Sequence, residues 1–445
     1  MTQPPRHLSS FPFTFTAVRS LIFLAALMPA LAAGASTTIN LATALRLAGA
    51  KPLDLELARN SVRQAEAKYA ETRSKFFPWF SVGTGYHRLD GNTQDVAGNI
   101  TDVSKQSYQA GLGVVAELRL GEAAYQSIAA KQRAAAAGHA LESVRQNLLA
   151  EVSAGYFDLL RAQAGLQVNQ QSKSLAADYA AQVTAAVASG VVFEADQYRA
   201  QAQELRHELS TRKALEDIQI ASARLCELLR LPHGLDLRGL DAELVPLDLL
   251  PPDASIGSQV RRALDHRPEL RSREMLLEAA RSDSLAAVNG PLIPDLSLRA
   301  NTGGLGGGKN ASTGNFGGTS DFMVGVGWRI GPGGLFDQAR SESAQAAEAS
   351  ESILLEKARL RISREVLEAI ARVRSLDSRL ATTRKLLEVS EKAYQLCRER
   401  GATGVGGVLE TLRAEEELSF ARLTWFELVA QYNTAQASLR RATGR

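Results

Sequence analysis

The sequence predicts a mainly α-helical protein with a four-strand β contribution, built from a helix–strand–strand–long helix–helix unit written twice. Three observations predict it. Two stretches, roughly 121–189 and 335–400, repeat apolar residues at heptad spacing. Four short segments alternate apolar and polar residues at period two, and the whole pattern recurs after an offset of 211–216 residues.

The elements follow in order. Residues 1–35 read as a secretory signal peptide: Arg6 and Arg19 supply positive charge, Leu21–Leu31 is apolar but too short to span a bilayer as a helix, and small residues follow. Ala30-Leu31-Ala32 or Ala33-Gly34-Ala35 fits the cleavage site, and no cysteine nearby could carry an N-terminal lipid. The first repeat, 36–240, reads as a helix at 40–76, strands at 79–90 and 107–120, a long helix at 121–189 and a helix at 192–231. A linker at 241–255 contains Pro246, Pro251 and Pro252. The second repeat, 256–445, gives a helix at 256–290, strands at 295–302 and 322–331, and helices at 335–400 and 408–441.

The duplication is visible residue by residue. Pro52 matches Pro268 and Pro78 matches Pro294, both 216 apart, while Val152 falls on Val366 at an offset of 214. Leu148, Val152, Gly155, Leu159, Ala162 and Leu166 keep the same rhythm as Ile362, Val366, Ala369, Val373, Leu376 and Leu380. A 3.5-residue repeat holds its seam only if helices supercoil, so left-handed coiled coils are expected. Each long helix would run roughly 100 Å, and the two shorter helices of its repeat, stacked end to end, match that length. The shape implied is a tube or rod.

The strands set phenylalanine, valine and leucine against glycine and polar residues. Phe80, Val82 and Tyr86 share one face; so do Tyr108, Ala110, Leu112, Val114, Ala116 and Leu118; so do Leu296, Leu298 and Ala300; and so do Phe322, Val324, Val326, Trp328 and Ile330. Either these faces pack on a soluble core, or they meet lipid while the polar faces line water. Lipid is favoured by the segment length, by Trp79, Tyr86, Tyr108 and Trp328 as belt residues, and by long polar loops at 91–106 and 303–321. Four strands cannot close a barrel, and an open edge in hydrocarbon leaves unpaired backbone groups, so several chains must share one.

At this point the chain resembles the TolC-like outer membrane efflux family, the outer membrane factors, over nearly its whole length after the signal. The resemblance rests on RPELRSREMLLEAARSDSLAAVNGPLIPDLSL from Arg267, on WRIGPGGLFDQAR (328–340), and on the stretch from Gly401 through VLETLRAEEELSFARLTWFELVAQYNTAQASL. It implies a homotrimer whose chains supply a twelve-stranded transmembrane β-barrel over a long periplasmic α-helical tunnel. It also implies an outer-membrane location, a periplasmic adaptor (membrane fusion protein) and an inner-membrane transporter as partners, and outer membrane lipid around the barrel. Leu112, Val114, Val324, Val326 and Trp328 would face that lipid.

The family's helical turns often read G-x5-D. Gly190 and Asp196 fit, whereas Gly401 is followed by Gly407 where the acid would stand. Both glycines are expected to cap their helices in left-handed conformation. Val191, Val192 and Phe193 form the apolar tip, either docking an adaptor or packing between helices, with Leu409 across the second turn. Glu391 and Glu399 are the acids nearest the closed end; as plain sequence they are solvated helix-face charges.

Composition excludes other classes. Removing Arg6 and Arg19 takes the formal charge from +3 to +1, without the basic stripe of a nucleic-acid binder. The six histidines show no metal-ligand spacing, and no cofactor is called for. Gly303–Asn310, GGLGGGKN, imitates a phosphate loop, but Asn310 replaces the magnesium-binding hydroxyl and no helix follows; a flexible hairpin loop is expected. Cys226 and Cys397 would stand roughly 48 Å apart along the hairpins, too far for a disulfide. No catalytic motif appears. The function expected is a passive exit duct of a tripartite efflux or type I secretion system, against the alternative of a soluble periplasmic coiled-coil scaffold or adaptor.

Overall fold

A computed structural model describes residues 37–50, 52–232, 234–240, 244–249, 255–310, 312–402 and 407–445; the signal segment and part of the linker lie outside them. In chain order the elements are β1 (Thr37–Ile39), α1 (Leu41–Ala48), α2 (Leu53–Ser74), β2 (Trp79–Gln94), β3 (Ile100–Leu118), α3 (Leu120–Ala188) and α4 (Glu194–Leu229). There follow β4 (Leu237–Gly239), α5 (Ile256–His266), α6 (Pro268–Val288), β5 (Asp295–Lys309), β6 (Gly317–Gly327), α7 (Gln338–Ala402) and α8 (Val408–Ala442).

Proline divides what the apolar pattern reads as one helix at 40–76 and one at 256–290. Pro52 is extended at φ −72°, ψ 149°, and so is Arg267 before Pro268, at φ −71°, ψ 125°. A proline supplies no N–H, and its ring disfavours helical backbone in the residue before it. Each half therefore opens with a short helix, capped by Asn40 or Ser255, and a longer one behind it.

The two long helices hold the molecule together. The 69 residues of α3 extend roughly 100 Å; along that length α3 packs against α2, α4, α6 and α8, while α7 packs against α5, α6 and α8. The heptad positions are the core: Val152 and Leu159 are buried with Tyr156, Leu225 and Val429, and Ile362 and Val366 with Leu270, Leu277 and Leu439. At Gly155 an added Cβ would meet Leu225 and Leu228 at 3.6 and 3.5 Å, ordinary van der Waals distance, so the seam does not depend on glycine there.

A parallel two-strand ladder was invisible to periodicity. Thr37 pairs with Leu237 and Ile39 with Gly239, tying the start of the described chain to the segment after α4. Gly239 sits so close to α3 that an added Cβ would strike Leu160, and its N–H donates to Gln163 Oε1 at 3.0 Å. Two more residues anchor the linker: Asn433 on α8 accepts from Leu247 N at 2.8 Å and donates to Val245 O at 2.9 Å, and Tyr432 donates to Asp248 at 2.7 Å. Burial first, and then the Asp248 bond, push the Tyr432 phenol up to about 12.

The other four strands form one antiparallel sheet in the order β2-β3-β5-β6, with β2 and β6 as open edges. The strands run further than their apolar alternation: β2 and β3 extend to Gln94 and from Ile100, and β5 reaches Lys309. The long loops expected at 91–106 and 303–321 thus shrink to 95–99 and 310–316. The glycines of GGLGGGKN are strand residues, and no phosphate loop forms. Aromatic rings replace their missing side chains: Tyr108 lies opposite Gly306, Phe316 covers Gly304, and the two rings stack at 5.8 Å and 3°.

Candidate functional site

Register turns four separate alternations into one two-faced sheet. Pairing brings Phe80, Val114, Ala300 and Phe322 into one row, Leu298 and Val324 beside Ala116, and Leu118, Leu296 and Val326 into another. Val82 pairs with Leu112, and Tyr86 with Tyr108. All of these residues share one face, because side chains two apart along a strand point the same way. The opposite face carries Ser81, Gly113, Asn301 and Asp321 in one row, Gly83, Gly111, Gly303 and Thr319 in the next, and Glu117, Ser297 and Gly325 in a third. Phe80, Val82, Leu112, Phe322, Val324 and Val326 are all exposed on the single chain, and nothing of its own covers them.

The apolar band has a measurable height. From Leu118 to Tyr108, ten residues of β3 rise roughly 34 Å, or about 26 Å along the normal of a sheet tilted near 40°. Above Tyr86, Tyr108 and Phe316 the same face turns polar, with Arg88, Asp90 and Ser104 bonded to one another. Among the described residues no helix is long and apolar enough to cross a membrane.

One belt assignment and one strand end need correction. Trp79 pairs with Val115, which pairs with Arg299, so it lies on the polar face. Strand β6 stops at Gly327, so Trp328 and Ile330 stand just past it; Gly331 and Gly333, at φ +102° and +75°, turn the backbone there. The Trp328 indole N–H donates to Leu292 O at 3.1 Å. Asp337 fastens this turn, accepting from Gly333 N at 2.7 Å and Arg340 N at 3.1 Å, and those two N–H groups hold its carboxyl below the usual carboxylate range.

At the far end, Gly190 adopts φ +74° as expected and joins α3 to α4. Val191 and Phe193 are exposed at 74% and 83%, whereas Val192 tucks against Ala180, Val183 and Ala200. Only two of the three apolar tip residues are thus open. Asp196 sits in the first turn of α4 and pairs with Arg199 at 2.8 Å. Gly401 departs from expectation. It lies within helix α7, which continues to Ala402, and has no positive φ; residues 403–406 of that turn lie outside the described residues. Glycine permits the left-handed cap without compelling it. Leu409 is exposed on the first turn of α8.

Of the two acids, Glu391 is paired with Arg422 at 3.2 Å, and Glu399 is exposed on α7. Sequence reading missed a third acid near them. Glu415 is buried on α8 and lies 2.8 Å from His207 of α4, with Gln203 Nε2 at 3.4 Å. A histidine, a glutamine and a glutamate at helical core positions were the available signal. Cys226 is buried in α4, Cys397 lies near the α7 terminus, and both are free thiols. Among the described residues no group of three or more metal-ligating side chains clusters.

The geometry can be set beside known proteins. A family model described as "Outer membrane efflux protein" matches the chain twice, over residues 44–229 and 260–445. No curated protein matches the sequence. Among solved structures, a membrane protein from Pseudomonas aeruginosa is similar with a TM-score of 0.79 and 23% identity, covering 91% of this chain and 93% of that one. The CmeC outer membrane channel of Campylobacter jejuni gives 0.77 at 17% identity, covering 91% and 85%. The open-state MtrE outer membrane channel of Neisseria gonorrhoeae gives 0.73 at 21%, covering 91% and 89%.

Proposed function

The chain belongs to the outer membrane efflux protein family, and from that premise we propose that it is a passive outer-membrane exit duct of a tripartite efflux or type I secretion system. Three copies join edge to edge, β6 of one against β2 of the next, and twelve strands close a barrel that four leave open. Phe80, Val82, Leu112, Val114, Val324 and Val326 face lipid; the glycine-rich face lines water. Residues 1–35 direct export and are removed, and the repeats 36–240 and 256–445, joined by 241–255, interleave in one barrel and one tunnel.

Below the membrane the paired helices enclose a periplasmic passage ending near Gly190 and the 401–407 turn. An adaptor docks on the exposed Val191 and Phe193 with Asp196 and Leu409 beside them, and an inner-membrane transporter supplies the energy. Widening the tip requires the α3–α4 and α7–α8 hairpins to slide past one another, and only a partner that binds the open arrangement better can drive this. No covalent chemistry is needed and none of the residues calls for a cofactor.

The observation that carries this reading is the register, which gathers Phe80, Val82, Leu112, Val114, Phe322, Val324 and Val326 on one face of bilayer height, most of them exposed, while Trp79, Val115, Leu305 and Met323 lie among glycine and polar residues on the other. The purified protein should require detergent, have the mass of three chains, and conduct ions across a planar bilayer once Val191 and Phe193 are replaced and the tip loosened. A monomer folded in plain buffer would support the coiled-coil scaffold instead.

A further inference from the structure

The layer of helices has two unlike sides. Tyr156, Leu160 and Gln163 of α3 meet the β1–β4 ladder, and Tyr432 and Asn433 of α8 hold the linker. Tyr156 and Asp158, Gln163 and Arg161, and Asn433 and Gln431 are each two residues apart, about 200° round a helix, so the second of each pair points the opposite way. A passage walled by these helices stays open only if the ladder and linker of every copy lie outside it. The opposite side therefore faces the bore. Two grooves there, of about 570 and 470 Å³, share Arg161, Arg379 and Glu427. Their lining comes from α3, α4, α7 and α8 of one chain. The row that a neighbouring copy would cover is another flank of α7: Ile353, Leu360 and Leu367 are exposed at seven-residue steps. Arg372 lies five residues past Leu367, about 140° round the helix.

The charges in these grooves are not balanced. Arg361, Arg364 and Arg384 of α7 each pair with the glutamate four residues on. Arg372 and Arg379 have Leu376 and Thr383 at that spacing instead. Arg161 is taken by Asp158 at 3.7 Å and Glu427 at 2.8 Å. Among the described residues lining the grooves, Arg372, Arg379 and Lys213 are left without an ion pair, against the one unpaired acid Asp217. Phe420 of α8 lines the lower groove with Arg379 and is 66% exposed. A phenyl ring left open beside unpaired guanidinium groups makes an amphiphilic surface. Charge-assisted bonds suit an acid group there, and the ring suits an apolar body.

We propose that these grooves form a transit site for aromatic organic anions on the wall of the bore. Arg372 and Arg379 hold the acid group, Phe420 stacks on the ring system, and Lys213 adds to the positive field. An anion without an apolar body gains only the charge, and a cation of the same shape meets repulsion. The site presumes the duct reading, because only a bore brings solutes past this wall.

The test uses the full chain, with Val191 and Phe193 replaced so that the tip conducts, in planar bilayers with naphthoate as the probe. Oligomer mass and melting curve confirm that each further variant folds as this parent does, and block is scaled to each variant's own current. Naphthoate should block the parent. Its half-blocking concentration should rise about tenfold when Arg372→Gln and Arg379→Gln are combined, as expected for losing hydrogen bonds to a charged group. Phe420→Ala should raise it about fivefold through the lost ring contact. Acetate and naphthylmethylammonium should not block at the same concentrations. A current that naphthoate leaves untouched, equal block by naphthylmethylammonium, or block undiminished in the variants overturns the site and leaves the duct standing. No current through the parent or any variant overturns the duct reading and the site with it.

Discussion

Glu415 brings an acid into the seam between α4 and α8, where its partners are His207 and Gln203. A buried acceptor that loses its donor keeps its desolvation penalty, so His207→Leu should lower stability by about 1.5–3 kcal/mol, and Glu415→Gln by less. The thermal midpoint in detergent reads this; an unchanged His207→Leu midpoint would mean that the pair contributes nothing. Asn433 gives a second test. It is 1% exposed and holds two backbone groups of the linker. Asn433→Ala should cost about 2 kcal/mol, since both groups lose a partner, and should speed hydrogen exchange at the Leu247 amide. Tyr432 beside it adds a contact that is complete below the ordinary tyrosine range and lost only as pH rises through about 12, so neutral pH leaves the linker clasp unaffected.

At the scale of elements, β5 makes the sharpest prediction. An alanine Cβ at Gly306 would lie 2.6 Å from the Tyr108 ring. Gly306→Ala must turn that ring, breaking its stack on Phe316 and its hydroxyl bond to Thr313 O. The expected cost is about 1–3 kcal/mol, with faster proteolysis of 310–316 than in the parent. The same strand shows why part of the fold was legible in the sequence and part was not. Leu296, Leu298 and Ala300 alternate with polar residues because one face of the sheet is apolar. Beyond Thr302 the strand is glycine apart from Leu305 and Lys309, and no periodicity marks it. The long helices were legible for the opposite reason: Val152, Leu159, Ile362 and Val366 repeat wherever a seam is buried. Pro52 and Pro268 were read as matching landmarks of the duplication, not as helix breaks. In the site, the turn at Gly190 was readable and the exposed Phe336, at φ +67°, was not, since a left-handed phenylalanine has no sequence signature.

For the whole molecule, the junction of α5 and α6 carries the most concentrated charge. Arg267, only 1% exposed, bonds Glu269 at 2.9 Å and Glu365 at 2.5 Å, and Arg441 reaches the same two acids at 3.1 and 3.3 Å. Four helices meet there. Burial works against the Glu269 carboxylate, but the Arg267 bond and charge outweigh it and hold that carboxyl below the usual range. A depressed native value means stability that is complete above the ordinary glutamate range of about 4.3 and is lost as pH falls through the native one. Glu269's share of the melting temperature should therefore hold from pH 8 to about 5 and fall below about 4, and Glu269→Gln should remove that share of the acid loss while lowering the plateau.

The small parallel ladder has its own corollary for how such a molecule is made. Thr37 through Ile39 wait for Leu237 through Gly239, so the ladder closes only after α3 and α4 have been delivered. Contacts so remote along the chain are slow to form. In a chain made amino end first, Thr37 through Ile39 stay unpaired until an entire hairpin has followed them. A chain cut short before residue 237 lacks the ladder, and added protease should cleave near its unpaired Thr37–Ile39 segment faster than in the full chain.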